Sequence, residues 1–384
     1  MVEIKNLPNV RDIDTMLSLI KSLGFNVKQN KNSNSVVIKK SKKINTFASY
    51  SLVKTMRAGI LVLGPLITKF GKAKTSLPGG CLIGARPINY HLNALKKLGM
   101  NYKIEKGYVN AFAKSKLTGS NIFFPKISVG ATENAILAAT LANGKTILKN
   151  CAIEPEIKND LTNFLNQAGA KIKWIGKRTV EIKGVKSLKK ISYSVMGDRI
   201  ETGTFCVAAC LTGGNLKINN CDPKIIKAEL SLLKKVGAKI KTSKNQIHII
   251  GPKKIKNITN LVTKEYPNFP TDLQAQFMVL LCKAKGKSSI TESIFENRFM
   301  HVAELRRLGA EIIIKKNKAL ILGSTNFKAA ELMSSDLRAS VALVLAALVA
   351  KGTSIINRIY HLDRGYENIE NKLRKVGVKI RRIS

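Results

Sequence analysis

The sequence predicts an α/β protein of two domains, assembled from one helix-and-strand unit that recurs along the chain. Two observations carry that reading. The first is size: 384 residues with 45% hydrophobic content hold enough apolar material for two separate cores. The second is a repeat. A short helix that ends at a glycine and runs straight into a strand occurs six times: SLIKSLGFNVK at Gly24, ALKKLGMNYKI at Gly99, FLNQAGAKIKW at Gly169, LLKKVGAKIKT at Gly237, ELRRLGAEIII at Gly309 and KLRKVGVKIRR at Gly377. Successive glycines lie 75, 70, 68, 72 and 68 residues apart, a regularity that helix-cap chemistry alone does not produce. Each glycine is expected to close its helix in a left-handed conformation, with the alternating apolar residues after it forming a strand.

The first copy has a strand at 2–6 and a glycine-ended helix at 12–23, without the helix and strand that open later copies. By comparison with the third copy, roughly 30 residues are expected before Met1. The third copy shows the whole unit: a helix of small residues at 131–142, an Asn143-Gly144 turn, a strand at 146–149, and Glu154-Pro155-Glu156 opening the second helix. The same order recurs over 336–377. These helices are amphipathic or wholly apolar, so each unit needs its neighbours to complete a core. The longest clean apolar run, 341–350, is about half of the roughly 20 residues that span a bilayer, and it reads as a buried helix. Residues 1–15 mix Glu3, Lys5, Arg11, Asp12 and Asp14 among apolar positions, which is not a signal peptide. The expectation is a cytoplasmic protein without membrane insertion.

The formal net charge of +42 invites a polyanion-binding reading. Against it, lysines lie along the whole chain, without aromatic-basic clusters or a zinc-finger or helix-turn-helix signature, so no nucleic-acid partner is expected. The six cysteines, Cys81, Cys151, Cys206, Cys210, Cys221 and Cys282, form no C-x-x-C pair, which suits a reducing compartment. With four scattered histidines and no ligand-like spacing, no metal site is expected.

Several loops carry chemistry. Residues 77–87 read LPGGCLIGARP, a glycine-rich loop able to act as a lid, with Cys81 near the cation of Arg86. A neighbouring guanidinium favours thiolate. Cys151 stands at the same distance before its own repeat glycine, 18 residues, so a cysteine there can also be structural; the loop composition sets Cys81 apart. Later loops read FPTD at 269–272, FENRF at 295–299, DLR at 336–338 and YHLDRGY at 360–366. Each places a charged residue at or before a helix start, where free N–H groups and the helix dipole make anion sites. Arg86, Arg298, Arg338 and Arg364 occupy matching loop positions in different repeats. Asp272, a carboxylate among arginines, is either a salt-bridge partner or a general base aimed at a hydroxyl. Asp336 faces the same choice, with a structural role the better reading. Lys126, ahead of Ser128-Val129-Gly130, is either a phosphate contact or an exposed turn lysine.

PGGCLIGARP at 78–87, GDRIETGTF at 197–205, FPTDLQAQF at 269–277, IFENRFMHV at 294–302, DLRAS and RIYHLDRGYE closely resemble the enolpyruvyl transferases of the UDP-N-acetylglucosamine 1-carboxyvinyltransferase family, and the resemblance spans essentially the whole chain. The cysteine loop separates it from the sister enzymes of the shikimate pathway. The resemblance implies two similar domains, 1–196 and 197–384, each of three βαβαββ-type repeats in an inside-out α/β barrel with helices inside sheets, and an active site in the cleft between them. It implies an enzyme of peptidoglycan synthesis that moves the enolpyruvyl group of phosphoenolpyruvate to the 3-hydroxyl of UDP-N-acetylglucosamine, with no metal or organic cofactor. Cys81 then looks like the acid that protonates C3 of phosphoenolpyruvate, and Asp272 like the acceptor of the sugar hydroxyl proton. Arg86, Arg298, Arg338 and Arg364 look like the clamp on the phosphate and carboxylate. Arg57, the run Arg86, Pro87, Ile88, Asn89 and Tyr90, the run Lys126, Ile127, Ser128 and Val129, and Ile294 resemble the nucleotide-sugar site. Asn89 replaces the family's usual aspartate, and the family's amino-terminal Lys-Asn pair belongs to the helix expected before Met1. The competing expectation is an inactive remnant or binding protein of the same fold.

Overall fold

All six repeat glycines adopt the left-handed conformation, with φ of 91° at Gly24, 108° at Gly99, 98° at Gly169, 109° at Gly237, 96° at Gly309 and 94° at Gly377. Each donates its N–H to the carbonyl three residues back, at 2.9 to 3.0 Å. In five copies the following residue also donates to the carbonyl five residues back, as Met100 does to Leu95 at 3.1 Å and Ala238 to Leu233 at 3.0 Å. This paired closure satisfies the last helical carbonyls and turns the chain into the next strand. A side chain at these positions would pay the left-handed steric penalty that glycine avoids.

The computed structural model describes residues 1–79, 84 and 87–383. The chain divides into two units, Met1–Cys81 with Arg86–Met196, and Leu82–Ala85 with Gly197–Ser384. In the first unit three four-stranded sheets share one plan. The strand Phe47–Ala48 runs parallel to Lys72–Ser76, which pairs antiparallel with Tyr108–Phe112, and that strand with Asn101–Glu105. Asn121–Phe123, Lys145–Lys149, Thr179–Lys183 and Lys171–Gly176 repeat the order. In the first sheet, Val2–Lys5, Ser35–Lys40 and Phe25–Asn30 follow the same plan, and the leading parallel strand is Ile191–Ser194, from the far end of the unit. The sheet at the start of the chain is therefore four-stranded like its two companions.

Helices line the inside. Leu63–Phe70, Asn89–Lys97 and Val129–Ala139 supply much of the first unit's core, together with the inward residues of the sheets. Gly64 permits close approach of two of these helices: a Cβ there would sit 2.3 Å from Asn134 Oδ1. The helix expected at 131–142 starts at Val129, because the Ser128 hydroxyl accepts from Ala131 N at 3.4 Å and caps it. The segment after Glu154-Pro155 opens as a π-helix, Glu156–Leu161, before the α-helix Thr162–Gln167.

The second unit holds a three-stranded sheet (Asn215–Asn219, Gln246–Ile250, Lys239–Ser243), a four-stranded sheet (Leu261–Val262, Ser288–Thr291, Lys318–Ile321, Ile312–Lys315) and the parallel pair Glu331–Met333 with Ile355–Asn357. Its inner helices are Arg199–Thr212, Gln274–Cys282 and Leu337–Leu348. Every residue of Gln274–Cys282 is buried, as are residues 339–346, so the apolar run near the carboxyl end is a core helix. No helix among the described residues is long and apolar enough to cross a membrane.

Candidate active site

In the second unit, the amino-terminal ends of the inner helices bring charged residues together. Asp336 caps Leu337–Leu348: its Oδ1 accepts from Arg338 N at 2.9 Å and Ala339 N at 3.1 Å. That is the structural role expected for it. The cap leaves the Arg338 side chain at the first turn, where its Nε donates to Asp272 Oδ1 at 3.3 Å. Arg298, on the turn that follows Ser288–Thr291, donates from Nη2 to the same oxygen at 2.9 Å. Asp272 lies in the 3-10 turn Thr271–Leu273, directly ahead of the buried Gln274–Cys282 helix.

The guanidiniums are sequestered while the carboxylate reaches solvent: side-chain exposure is 5% for Arg298, 15% for Arg338 and 43% for Asp272. Partial burial opposes ionisation of Asp272, but Arg338, then Arg298, and at longer range Arg199, outweigh it and hold the carboxyl well below the usual carboxylate range. Arg338 stacks 5.9 Å from the Tyr366 ring. The Tyr366 hydroxyl meets Thr204 Oγ1 at 2.8 Å, and Gln276 Nε2 donates to Thr204 at 3.3 Å and to the Asp272 carbonyl at 3.0 Å. This buried polar chain fixes the floor under Asp272. His301 beside it is buried and lowered to about 4, chiefly by desolvation, with Asp336 opposing and Arg298 adding to the shift, so its ring is neutral at physiological pH.

The structure thus unites Asp272, Arg298 and Arg338. Arg364 sits half-buried at the end of the 3-10 turn Ile359–Arg364, and Ile294 half-buried just ahead of Phe295. Cys81 and Arg86 lie outside the described residues. Sequence reasoning missed Arg199, Thr204, Gln276, Glu292, His301 and Tyr366 as neighbours of this cluster. Arg199 and Thr204 stood within the GDRIETGTF motif, which gave no role for either; buried polar residues inside apolar helices are the signal that was present.

In the first unit, one buried network joins the segments read as the nucleotide-sugar site. Asn134 Oδ1 accepts from Gly64 N at 2.9 Å, and its amide donates to Ile60 O at 3.2 Å and faces His91 Nδ1 at 3.2 Å. His91 belongs to Asn89–Lys97, Asn134 to Val129–Ala139, and Ile60 to the 3-10 helix Arg57–Val62. Burial, and then the charge of Arg57, lower His91 to about 4. Arg57, the run Pro87, Ile88, Asn89 and Tyr90, and the run Lys126, Ile127, Ser128 and Val129 lie on or directly ahead of the three elements that meet at this network. Pro87, Asn89, Lys126 and Val129 are exposed, while Ile88 is buried.

The five described cysteines, Cys151, Cys206, Cys210, Cys221 and Cys282, are free and buried. Desolvation raises all of them, to about 12 for Cys151, Cys210 and Cys282. They are core residues, as expected. Among the described residues no group of three or more His, Cys, Asp or Glu side chains could hold a metal ion.

Residues 1–373 match the family described as EPSP synthase (3-phosphoshikimate 1-carboxyvinyltransferase). The chain is 65% identical over 383 residues to the UDP-N-acetylglucosamine 1-carboxyvinyltransferase of Pelagibacter ubique, with 100% of this chain and 91% of that one covered. It is 50% identical over 378 residues to the enzyme of the same name from Pseudoalteromonas atlantica, covering 98% and 90%. In structure it is similar to the enolpyruvyl transferase NikO from Streptomyces tendae, with a TM-score of 0.87 at 22% identity over 99% of this chain and 90% of that one. It is also similar to EPSP synthase from Acinetobacter baumannii, with a TM-score of 0.74 at 18% identity over 99% and 91%. The two structural likenesses establish the fold. These alignments take in all or nearly all of this chain and 90 to 91% of the relatives, and the segment expected before Met1 stays an expectation.

Proposed function

The chain belongs to the UDP-N-acetylglucosamine 1-carboxyvinyltransferase family of enolpyruvyl transferases, and from that premise we propose that it moves the enolpyruvyl group of phosphoenolpyruvate onto the 3-hydroxyl of UDP-N-acetylglucosamine, releasing phosphate for peptidoglycan synthesis. Both substrates are cytosolic metabolites, so the reaction is assigned to the cytoplasm.

The observation that carries the reading is the Asp272 cluster, in which a buried guanidinium and a largely buried one converge on one oxygen of a solvent-reaching carboxylate. Guanidiniums held in place at low exposure suit an anion whose charge grows as a bond breaks. We assign Arg298, Arg338 and Arg364, with Arg86, to the phosphate and carboxylate of phosphoenolpyruvate. Both arginine contacts fall on Oδ1 of Asp272, which leaves Oδ2 to take the proton of the sugar hydroxyl. While both arginines hold it, the carboxylate is a poor base. Binding of phosphoenolpyruvate draws the guanidiniums toward its own oxygens, and the loss of their field raises the basicity of Asp272 as the second substrate arrives.

The addition then proceeds with atoms balanced. The sugar oxygen forms a bond to C2, its proton passes to Asp272, and the electron pair of the C2–C3 double bond takes a proton from Cys81 at C3. The tetrahedral intermediate returns a proton from C3 to the Cys81 thiolate, re-forms the double bond and expels phosphate with the electron pair of the broken C2–O bond. Arg57, Pro87, Ile88, Asn89, Tyr90, Lys126, Ile127, Ser128, Val129 and Ile294 are assigned to the nucleotide sugar. Phosphate release should be measured with phosphoenolpyruvate and either UDP-N-acetylglucosamine or shikimate 3-phosphate. Release with the nucleotide sugar alone is the expected result; release only with shikimate 3-phosphate, or with neither, overturns the proposal.

A further inference from the structure

Asp272 and Arg298 stand on two separate loops, and one buried carboxylate fastens both. Glu292 follows the strand Ser288–Thr291 and is 2% exposed. Its Oε1 accepts from Thr263 Oγ1 at 2.8 Å, from Ile294 N at 2.8 Å and from Phe295 N at 3.2 Å. Its Oε2 accepts from Thr271 Oγ1 at 2.9 Å. The main chain of Glu292 is pinned as well: its N–H donates to Asn317 O at 2.8 Å, and Asn317 Nδ2 donates to its carbonyl at 3.1 Å. The carboxylate therefore cannot shift to follow either loop.

Each contact lands close to the cluster. Thr271 is the residue before Asp272, and its carbonyl also accepts from Arg298 Nη2 at 3.4 Å. Ile294 and Phe295 open the turn that carries Arg298, and the Phe295 ring lies 5.8 Å from the Arg298 guanidinium. Thr263 ties the turn to the neighbouring strand through Ser293, whose N–H it accepts at 3.0 Å. A buried carboxylate with four donors has no aqueous alternative that would release them, so the four contacts stand or fall together.

We propose that Glu292 is a positioning residue for enolpyruvyl transfer, fixing the Thr271–Asp272 loop and the Ile294–Arg298 turn in one register. It touches neither substrate; it sets where Asp272 points and where Arg298 can reach. The proposal rests on the roles given above to Asp272 and Arg298. A misplacement of about 1 Å in such a group is enough to lower turnover about 100-fold.

The test compares Glu292→Gln, Glu292→Ala, Thr271→Val and a core control, Leu280→Ala, which lies in the same unit at 0% exposure. Turnover is measured well below every variant's unfolding transition, and the melting temperature of each variant is recorded separately. In Glu292→Gln the amide oxygen serves the three Oε1 contacts, and Thr271 rotates its hydroxyl to accept from the amide nitrogen. That variant should keep kcat within about threefold, Thr271→Val should lose about tenfold, and Glu292→Ala about 100-fold. Leu280→Ala should lose melting temperature but not kcat. The role is overturned if Glu292→Ala turns over normally, if the glutamine variant fails as badly as the alanine, or if Leu280→Ala loses as much kcat as Glu292→Ala. Asp272→Asn run alongside separates the two readings: an inactive Asp272→Asn beside an unimpaired Glu292→Ala overturns the positioning role alone. An active Asp272→Asn overturns the base assignment and, with it, the role given to Glu292.

Discussion

Replacing Asp272 with asparagine sets two consequences of one geometry against each other. The change keeps shape and leaves an oxygen able to accept from Arg298, but removes the charge that faces both guanidiniums at 2.9 and 3.3 Å. At an effective dielectric near 20, each contact carries about 5 kcal/mol of gross attraction. Most of that is offset, because the carboxylate is 43% exposed and screened and the arginines have already lost their water. A net loss of about 2 kcal/mol remains, equivalent to a melting temperature lower by roughly 4–8 °C for a unit of this size. The same uncompensated cations should hold phosphoenolpyruvate more tightly, while turnover falls by about 10²–10⁴ because no base receives the hydroxyl proton. The sign with pH follows from the depressed carboxyl. Its stabilisation is complete above the ordinary carboxylate pKa and is lost only as pH falls below it, toward the lowered folded value. The melting difference between wild type and Asp272→Asn should therefore be flat from neutral pH to about pH 5 and shrink in stronger acid. Calorimetry, phosphoenolpyruvate titration and phosphate release read the three effects. An Asp272→Asn enzyme with wild-type turnover and unchanged phosphoenolpyruvate affinity would refute the reasoning.

Limited alkylation near neutral pH should leave Cys151, Cys206, Cys210, Cys221 and Cys282 unmodified, since burial raises each thiol, and should label Cys81 first; peptide mapping that finds Cys206 or Cys282 ahead of it contradicts the assignment. Glu133, half-buried, is pushed up to about 8, first by desolvation and then by Glu154 and Glu156. It keeps its proton when folded but loses it when unfolded, so its effect on stability worsens as pH rises from the ordinary carboxylate range toward 8. Glu133→Gln should raise stability by about 2 kcal/mol near pH 8 and change little near pH 4, as calorimetry at the two values will report. Gly237→Ala should cost more than Gly377→Ala: both glycines have left-handed φ, but a Cβ at Gly237 meets Pro252 Cβ at 3.1 Å, whereas at Gly377 nothing lies within 4 Å. The expected losses are about 1 kcal/mol at Gly377 and about 2 kcal/mol at Gly237, and equal denaturation midpoints would show that the Pro252 contact is relieved at no cost.

The sequence by itself determined whatever depends on neighbours in the chain. The six helix ends were legible because a left-handed closure is made by a glycine and the carbonyls three to five residues before it, all within one short stretch. The core helix near the carboxyl end was legible from its apolar run, and the Asp336 cap from its place ahead of that run. Family likeness was legible because the loop motifs survive as contiguous strings. Only the tertiary structure decided which distant residues meet. Ile191–Ser194 completes the first sheet beside Val2–Lys5, across a separation bridged also by Asn6 and Val195, 189 residues apart; an open first repeat was the local expectation, since nothing within it names a partner so far along the chain. The sequence leaves Asp272 as either a base or a salt-bridge partner, and the contacts of Arg298 and Arg338, 26 and 66 residues away, on one of its oxygens exist only in the fold. Glu292 carries no motif at all. Its importance comes from burial and from four donors drawn from three loops, and such convergence exists only after the strands have paired and the helices have packed beneath them.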